Sequence, residues 1–306
     1  MLVETEPEVL SGKIRELKKA RNAVILAHNY QIGEVQDVAD FVGDSLELSQ
    51  KAAAVGEDVI VFCGVHFMAE TASILSPRKI VLLPDPRAGC PMADMITADD
   101  MRRWKKQYPG RPVVCYVNTT AEVKAECDIC CTSSNALQVI NFVEGREVLF
   151  APDKNLAAYV ARQTSKKIIA WDGYCYIHNT ILARDVREKK KRHPEAEVWA
   201  HPECRPEVID LADKVLSTGK MVKEARVTEA KEIIVATEAA MIYRLKKENP
   251  AKQFYPAHEL ALCANMKKIT LKKVHAALDQ MIHRVQVPPE IADRARGAIE
   301  KMIRLS

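Results

Sequence analysis

Three times along the chain, apolar runs of strand character alternate with amphipathic helical stretches in the same order. The runs VILAHNY, VVCYVNT and EVWAHPE read as first strands, ending at His28, Tyr116 and His201. Twelve residues beyond each end stands an aspartate: Asp40, Asp128 and Asp213, spaced 88 and 85 residues apart. Each follows a small residue and leads into a short apolar strand. A polar pair then opens a helix: Asp44-Ser45, Thr132-Ser133-Ser134-Asn135 and Ser217-Thr218-Gly219. Second strands (EDVIVF, REVLFA, KEIIVA) begin about eighteen residues after each aspartate, and third strands (KIVLL, KIIAW, KQFYP) about thirty-nine after.

Lys/Arg-rich helices are predicted before each first strand, over 8–20, 98–107 and 181–192. A further helix is predicted over 270–285 and a terminal one from Pro288. Alternation of strand and helix at this density predicts an α/β fold of parallel units with helices on both sheet faces. The expected architecture is three pseudo-symmetric three-layer αβα units: 1–96, 97–179 and 180–285, with 286–306 packing back on the first. Units of about 85 residues bury too little surface to stand comfortably alone. With no flexible linker between them, one compact body is expected.

Composition narrows the function. The 306 residues are 48% hydrophobic and 28% charged, ordinary for a globular chain with a sizeable core. Lys+Arg 45 against Asp+Glu 41 leaves +4, spread along the sequence, which gives no nucleic-acid footprint. No apolar run is long enough to span a membrane, and the N-terminal stretch lacks an apolar signal core. A cytoplasmic protein that contacts neither membrane nor nucleic acid is expected. No Gly-x-Gly and no HExxH occur, and the P-loop-like Ser217-Thr218-Gly219-Lys220 is followed by Met221.

Nine cysteines, an odd number in a reducing compartment, argue against a disulfide framework. Three occupy matched repeat positions: Cys90, Cys175 and Cys263 follow their aspartates by 50, 47 and 50 residues, each in the loop after a third strand. Loops at strand C-termini form the functional edge of parallel sheets. Three thiolates meeting there, with no fourth in sight, suggest a central iron–sulfur site: a [4Fe–4S] cluster with one open iron. Cys127-x-x-Cys130-Cys131 has redox or zinc spacing, but Cys130 and Cys131 fall on a predicted buried strand, which favours packing. Cys63 and Cys115 also read as core, and Cys204 is left open.

On the same edge the first strands end in His28-Asn29-Tyr30, Tyr116-Val117-Asn118 and His201-Pro202-Glu203. Singly, each reads as structural. As a set at one repeat position, they offer hydrogen-bond donors and acid/base candidates. The helix starts carrying Ser45, Ser133 and Thr218 read as N-caps, and also as an anion pocket for carboxylates or phosphate.

The motifs AHNYQ, GDS, GCPMAD, YVNTTAEVKA, CCTSSNA, WDGYCYIH, AHPEC, STGKM and CANMKKIT resemble the quinolinate synthase family, the NadA type of NAD biosynthesis, over about residues 22–270. The resemblance implies a condensing and dehydrating transferase. It would join iminoaspartate (iminosuccinate) to dihydroxyacetone phosphate, releasing phosphate and water. It also implies one [4Fe–4S] cluster per chain on Cys90, Cys175 and Cys263. Substrate contacts would be His28, Ser45, Tyr116, Asn118, Ser133, His201, Glu203 and Thr218, with Glu203, Tyr30, His28, His201 and Tyr116 as catalytic candidates. The partners are small molecules, with room for a transient contact with the enzyme that supplies iminoaspartate. Some relatives carry cysteines three and six residues before the last ligand. Here Leu260 and Ala257 stand there, so no disulfide is expected at that place. Two rivals are a [4Fe–4S] hydro-lyase acting on another hydroxy acid and a non-catalytic iron–sulfur or zinc protein.

Overall fold

A computed structural model describes residues 5–306, so the first four residues of the unit expected from residue 1 lie outside the description. The fold is α/β, with three four-stranded parallel sheets flanked by helices. The first holds β1 (Ala23–His28), β2 (Phe41–Gly43), β3 (Val59–Cys63) and β4 (Ile80–Leu82) in the order β2-β1-β3-β4. The second holds β5 (Val113–Tyr116), β6 (Ile129–Cys131), β7 (Glu147–Ala151) and β8 (Lys167–Ala170) in the order β6-β5-β7-β8. The third holds β9 (Glu197–Ala200), β10 (Lys214–Val215), β11 (Glu232–Ala236) and β12 (Gln253–Pro256) in the order β10-β9-β11-β12. The three orders are one topology, as the repeat requires. β1, β3 and β5 are buried along their whole length, as expected of parallel strands covered on both faces.

The repeating aspartates owe their place to the backbone. The Asp40 side chain accepts the Ile25 N–H at 2.8 Å, and the Asp40 N–H bonds the Ile25 carbonyl at 2.9 Å. Asp128 does the same with Val113 (2.7 and 3.1 Å) and Asp213 with Val198 (2.8 and 2.8 Å). Each aspartate thus clasps the short edge strand to the first strand of its sheet, fixing register where few ladder bonds are available.

One large apolar core serves the first two sheets, and two smaller clusters flank the third. The helix expected over 270–285 ends at Gln280, because Met281 turns left-handed at φ 53°. The chain beyond it runs antiparallel to β4. The Leu83 N–H bonds the His283 carbonyl at 3.0 Å, and the Val285 N–H bonds the Val81 carbonyl at 2.8 Å. Covering that exposed sheet edge outweighs another helical turn. The terminal helix Pro289–Arg304 packs on the helices His66–Leu75 and Ser45–Ala54, and also on β6 and the helix Ala121–Lys124. Among the described residues no helix is long and apolar enough to cross a membrane.

Candidate active site

The C-terminal strand ends of all three sheets open on one cavity. It is lined by all the residues singled out from the sequence: His28, Tyr30, Ser45, Cys90, Tyr116, Asn118, Ser133, Cys175, His201, Glu203, Thr218 and Cys263. The repeat explains the convergence, since each unit delivers a first-strand end, a helix start and a third-strand loop to the same edge.

The two first-strand histidines are built alike. The Tyr30 N–H donates to His28 Nδ1 at 3.2 Å, and the Glu203 N–H donates to His201 Nδ1 at 3.3 Å. Burial lowers both imidazoles to about 3, helped by Lys267 at His28 and by His178 at His201. A neutral imidazole whose Nδ1 accepts must carry its proton on Nε2. Each ring therefore offers one N–H donor; that of His201 lies 3.2 Å from Ser133 Oγ.

Glu203 is the charged centre of the edge. Burial opposes its ionisation, but His178 beside it and the Tyr116 hydroxyl hold its carboxyl below the ordinary carboxylate range. Tyr116 donates to Glu203 Oε1, and His178 Nδ1 approaches Oε2 to 2.6 Å, off the line of a good hydrogen bond. Burial first, then the Glu203 charge, raises the Tyr116 and Tyr30 phenols well above their ordinary value, so both are neutral donors. Tyr30 OH meets Thr237 Oγ1 at 2.6 Å and His178 Nε2 at 3.3 Å. Asn118 Oδ1 is buried with no hydrogen-bond partner, an orphan in a cavity wall.

At the helix starts, capping falls to neighbours of the expected residues. Asp44 caps Ser45–Ala54 through the N–H groups of Leu46 and Glu47, both at 3.0 Å. Ser217 caps Thr218–Val227, and Asn135 closes the third turn onto Thr132 N at 2.8 Å. Ser45, Ser133 and Thr218 are thereby left to line the cavity; Thr218 Oγ1 also takes Asn29 Nδ2 at 2.9 Å. Behind them Ser134 Oγ bonds Asp44 Oδ2 at 2.7 Å and Ser217 Oγ at 2.6 Å, joining the three helix starts in one knot.

The cysteines divide as their positions require. Cys63, Cys115, Cys130, Cys131 and Cys204 are fully buried, and Cys204 Sγ donates to the Ala236 carbonyl at 3.2 Å. Cys90, Cys175 and Cys263 face the cavity. Burial pushes the Cys90 thiol up to about 12, with the Ala93 N–H opposing and Cys263 adding to the rise. It raises Cys175 and Cys263 as well, joined by Glu203 and Glu238 respectively. Burial dominates all three, and what opposes it is backbone N–H groups rather than cations. What sets these three thiols apart from the core cysteines is the cavity they share with His178 and Glu203. Soft sulfur donors so placed fit a metal centre, whose charge would offset their ionisation. Cys175, His178 and Glu203 also place one ligand atom each within 4.8 Å of one another.

Sequence reasoning passed over His178, Thr237, Glu238 and Asp153. His178 stacks on His201 at 4.5 Å between ring centroids, and it sits three residues after Cys175 inside a quoted motif. Asp153 and Glu238 stand two residues past the second strands, a repeat position that alignment of those strand ends would have exposed.

The family model described as "NadA: Quinolinate synthetase A protein" matches residues 12–304. A protein of Dehalococcoides mccartyi (strain CBDB1) named quinolinate synthase is 61% identical over 298 residues, covering 97% of this chain and 99% of its own. One from Thermodesulfovibrio yellowstonii with the same name is 53% identical, covering 100% and 99%. "Quinolinate synthase 2" of Methanosarcina acetivorans is 52% identical, covering 99% and 98%. With the match running through every element that builds the cavity, the chain belongs to the quinolinate synthetase A family.

Proposed function

We propose that this chain is a cytoplasmic quinolinate synthase, condensing iminoaspartate with dihydroxyacetone phosphate to quinolinate with release of phosphate and two waters. One observation carries the reading: three repeat-equivalent cysteine loops and three repeat-equivalent polar strand ends share one cavity, in a chain aligned end to end with proteins of that name. Cys90, Cys175 and Cys263 would hold one [4Fe–4S] cluster, which when bound supplies Lewis acidity to substrate oxygens.

The chain's own groups divide the remaining work. Glu203, ionised and buried, is the base for protons on carbon or nitrogen. Tyr116, bonded to it, and Tyr30, bonded to Thr237, are neutral donors that can protonate departing oxygens. The Nε2–H groups of His28 and His201 orient carbonyl or carboxylate oxygens. Ser45, Ser133 and Thr218 anchor anionic groups, with the N-termini of Ser45–Ala54 and Thr218–Val227 adding their dipoles. Asn118 Oδ1, the orphaned acceptor, can take an N–H or O–H of the same ligand.

The deciding experiment is an anaerobic assay of reconstituted protein with iminoaspartate and dihydroxyacetone phosphate, following quinolinate and phosphate together. Quinolinate with stoichiometric phosphate is expected. Dehydration of another hydroxy acid without phosphate release would support the hydro-lyase reading instead. Zinc without sulfide would support a single ion on Cys175, His178 and Glu203.

A further inference from the structure

Each cysteine loop is tied to the segment just past the second strand of its own unit. The His66 N–H reaches the Ala88 carbonyl at 2.8 Å, Lys154 reaches Gly173 at 2.8 Å, and Ala239 reaches Ala261 at 2.9 Å. In every unit the acceptor lies two residues before the cysteine. The residue preceding each donor is Val65, Asp153 or Glu238, 25 residues after its repeat aspartate in all three cases.

Here the symmetry breaks. Asp153 Oδ2 accepts the Cys175 N–H at 3.0 Å while Oδ1 accepts the Leu156 N–H at 2.7 Å. Glu238 Oε1 accepts the Cys263 N–H at 2.8 Å while Oε2 accepts the Ala240 N–H at 2.8 Å. Both residues are buried. Helix capping accounts for one oxygen of Asp153 and leaves the other, which goes to the cysteine. Val65 has no acceptor, so the Cys90 loop has no such restraint. The two carboxylates also differ from each other. Glu238 takes Lys267 Nζ at 2.6 Å, and Lys267 continues to the Tyr30 carbonyl, so the Cys263 loop is bound to the first unit. Asp153 has no cationic partner among the described residues.

We propose that Asp153 and Glu238 are positioning residues for the metal-binding thiols, each fixing the backbone of one cysteine through its N–H and so aiming the sulfur. The inference rests on reading Cys90, Cys175 and Cys263 as the cluster ligands. Two of the three cysteines are thus held through their own N–H by a buried acid, and Cys90 is not. Outer partners that orient ligands typically govern metal affinity by about 10–100-fold.

The test compares Asp153→Ala, Asp153→Asn, Glu238→Ala and Glu238→Gln, with Val65→Ala as control, in anaerobically reconstituted protein. Readouts are iron and sulfide content and the rate of iron release to a chelator. The alanine variants should release iron about 10–100 times faster than the parent. Asn and Gln keep one acceptor oxygen of the two, enough for the cysteine N–H, and should fall between the parent and alanine, while Val65→Ala should stay close to the parent. In the metal-free protein, Glu238→Ala should raise the reactivity of Cys263 toward an aromatic disulfide reagent, and Asp153→Ala that of Cys175, mapped by mass spectrometry. Parent-like iron release and thiol reactivity in both folded alanine variants overturns the proposal. So does equal lability of the amide and alanine variants, which would assign the effect to charge. If an alanine variant does not fold, the amide variants decide: iron release less than about tenfold faster than the parent supports the proposal and faster release overturns it. A parent that takes up no iron and sulfide removes the cluster reading, while the thiol-reactivity comparison still tests the restraint.

Discussion

The second sheet and the loops at the edge of the three sheets use cysteine in opposite ways. In the sheet, Cys115 lies opposite Cys130 in the β5–β6 register, and Cys131 follows; all three are fully buried. Cys130 and Cys131 behave as small hydrophobes, raised by burial far from thiolate formation. Cys115 instead meets Thr119 Oγ1 at 3.2 Å and, against its burial, is drawn down by Cys127, Thr119 and Lys124. In the loops, Cys90, Cys175 and Cys263 face a cavity lined with imidazoles, phenols and a carboxylate. Local spacing points the wrong way, because Cys127-x-x-Cys130 has the form of a redox motif. In the fold Cys130 belongs to the core, and Cys127 Sγ donates to the Val123 carbonyl at 3.0 Å. Position on the repeat, not proximity in sequence, marks the thiols that face the cavity.

The contrast is broken or sharpened most directly by single alanine substitutions. Cys90→Ala, Cys175→Ala and Cys263→Ala should each lose most bound iron and all measurable activity. Cys115→Ala, Cys130→Ala and Cys131→Ala should keep their iron. Iron and sulfide analysis of the six proteins checks this, and a folded sheet variant stripped of iron would erase the distinction.

The next effect separates the edge's chemistry from its metal. Glu203→Gln should lose at least about a hundredfold in kcat, the low end for a general acid–base group, with iron content unchanged. Single-turnover quinolinate formation measures it, and near-normal turnover would move the base role to Tyr30, His28 or His201.

The polar edge also carries a pH signature that the sheet lacks. His28 and His201 are held near 3 in the folded state, below the ordinary value of 6.5. At these two sites the unfolded chain binds more protons between those values, so their contribution to stability is lost as pH falls through that window. Asp153, raised by burial and the Glu203 charge, works the other way. The loss should be roughly 1.4 kcal/mol per pH unit for each histidine. Urea unfolding of the metal-free protein at pH 7.5, 6 and 5 should show it, with a shallower slope in His201→Gln. An unchanged slope would place the titrating groups elsewhere.

The smallest effect belongs to the sheet. Cys131→Ala should cost about 1 kcal/mol through a small cavity, and Cys131→Ser more, because a buried hydroxyl needs a partner. Urea midpoints of the two variants order them, and a serine variant as stable as alanine would mean that the site offers that hydroxyl a bond.

Much of this arrangement is legible without coordinates, for a physical reason. The repeat carries polar landmarks as well as apolar ones. Asp40, Asp128 and Asp213 must clasp the same backbone groups in every sheet, so they survive as fixed points from which Cys90, Cys175 and Cys263 can be counted. What was not legible depends on distant partners. Nothing local announces that His178 would lie against Glu203, or that Ser134 would reach Asp44 across 90 residues. The helix end at Gln280 was equally hidden, since its cause is the edge of β4, far away in sequence.

The knot of Asp44, Ser134 and Ser217 makes ligand binding and cohesion between the units one quantity. An anion seated on Ser45, Ser133 and Thr218 touches all three units at the point where they are already joined. It can be bound only while all three are in place. By linkage, substrate at a hundred times its Kd would add about 2.7 kcal/mol against any opening that separates them. Substrate held at the anion site proposed above would then be a temporary fourth element of the fold.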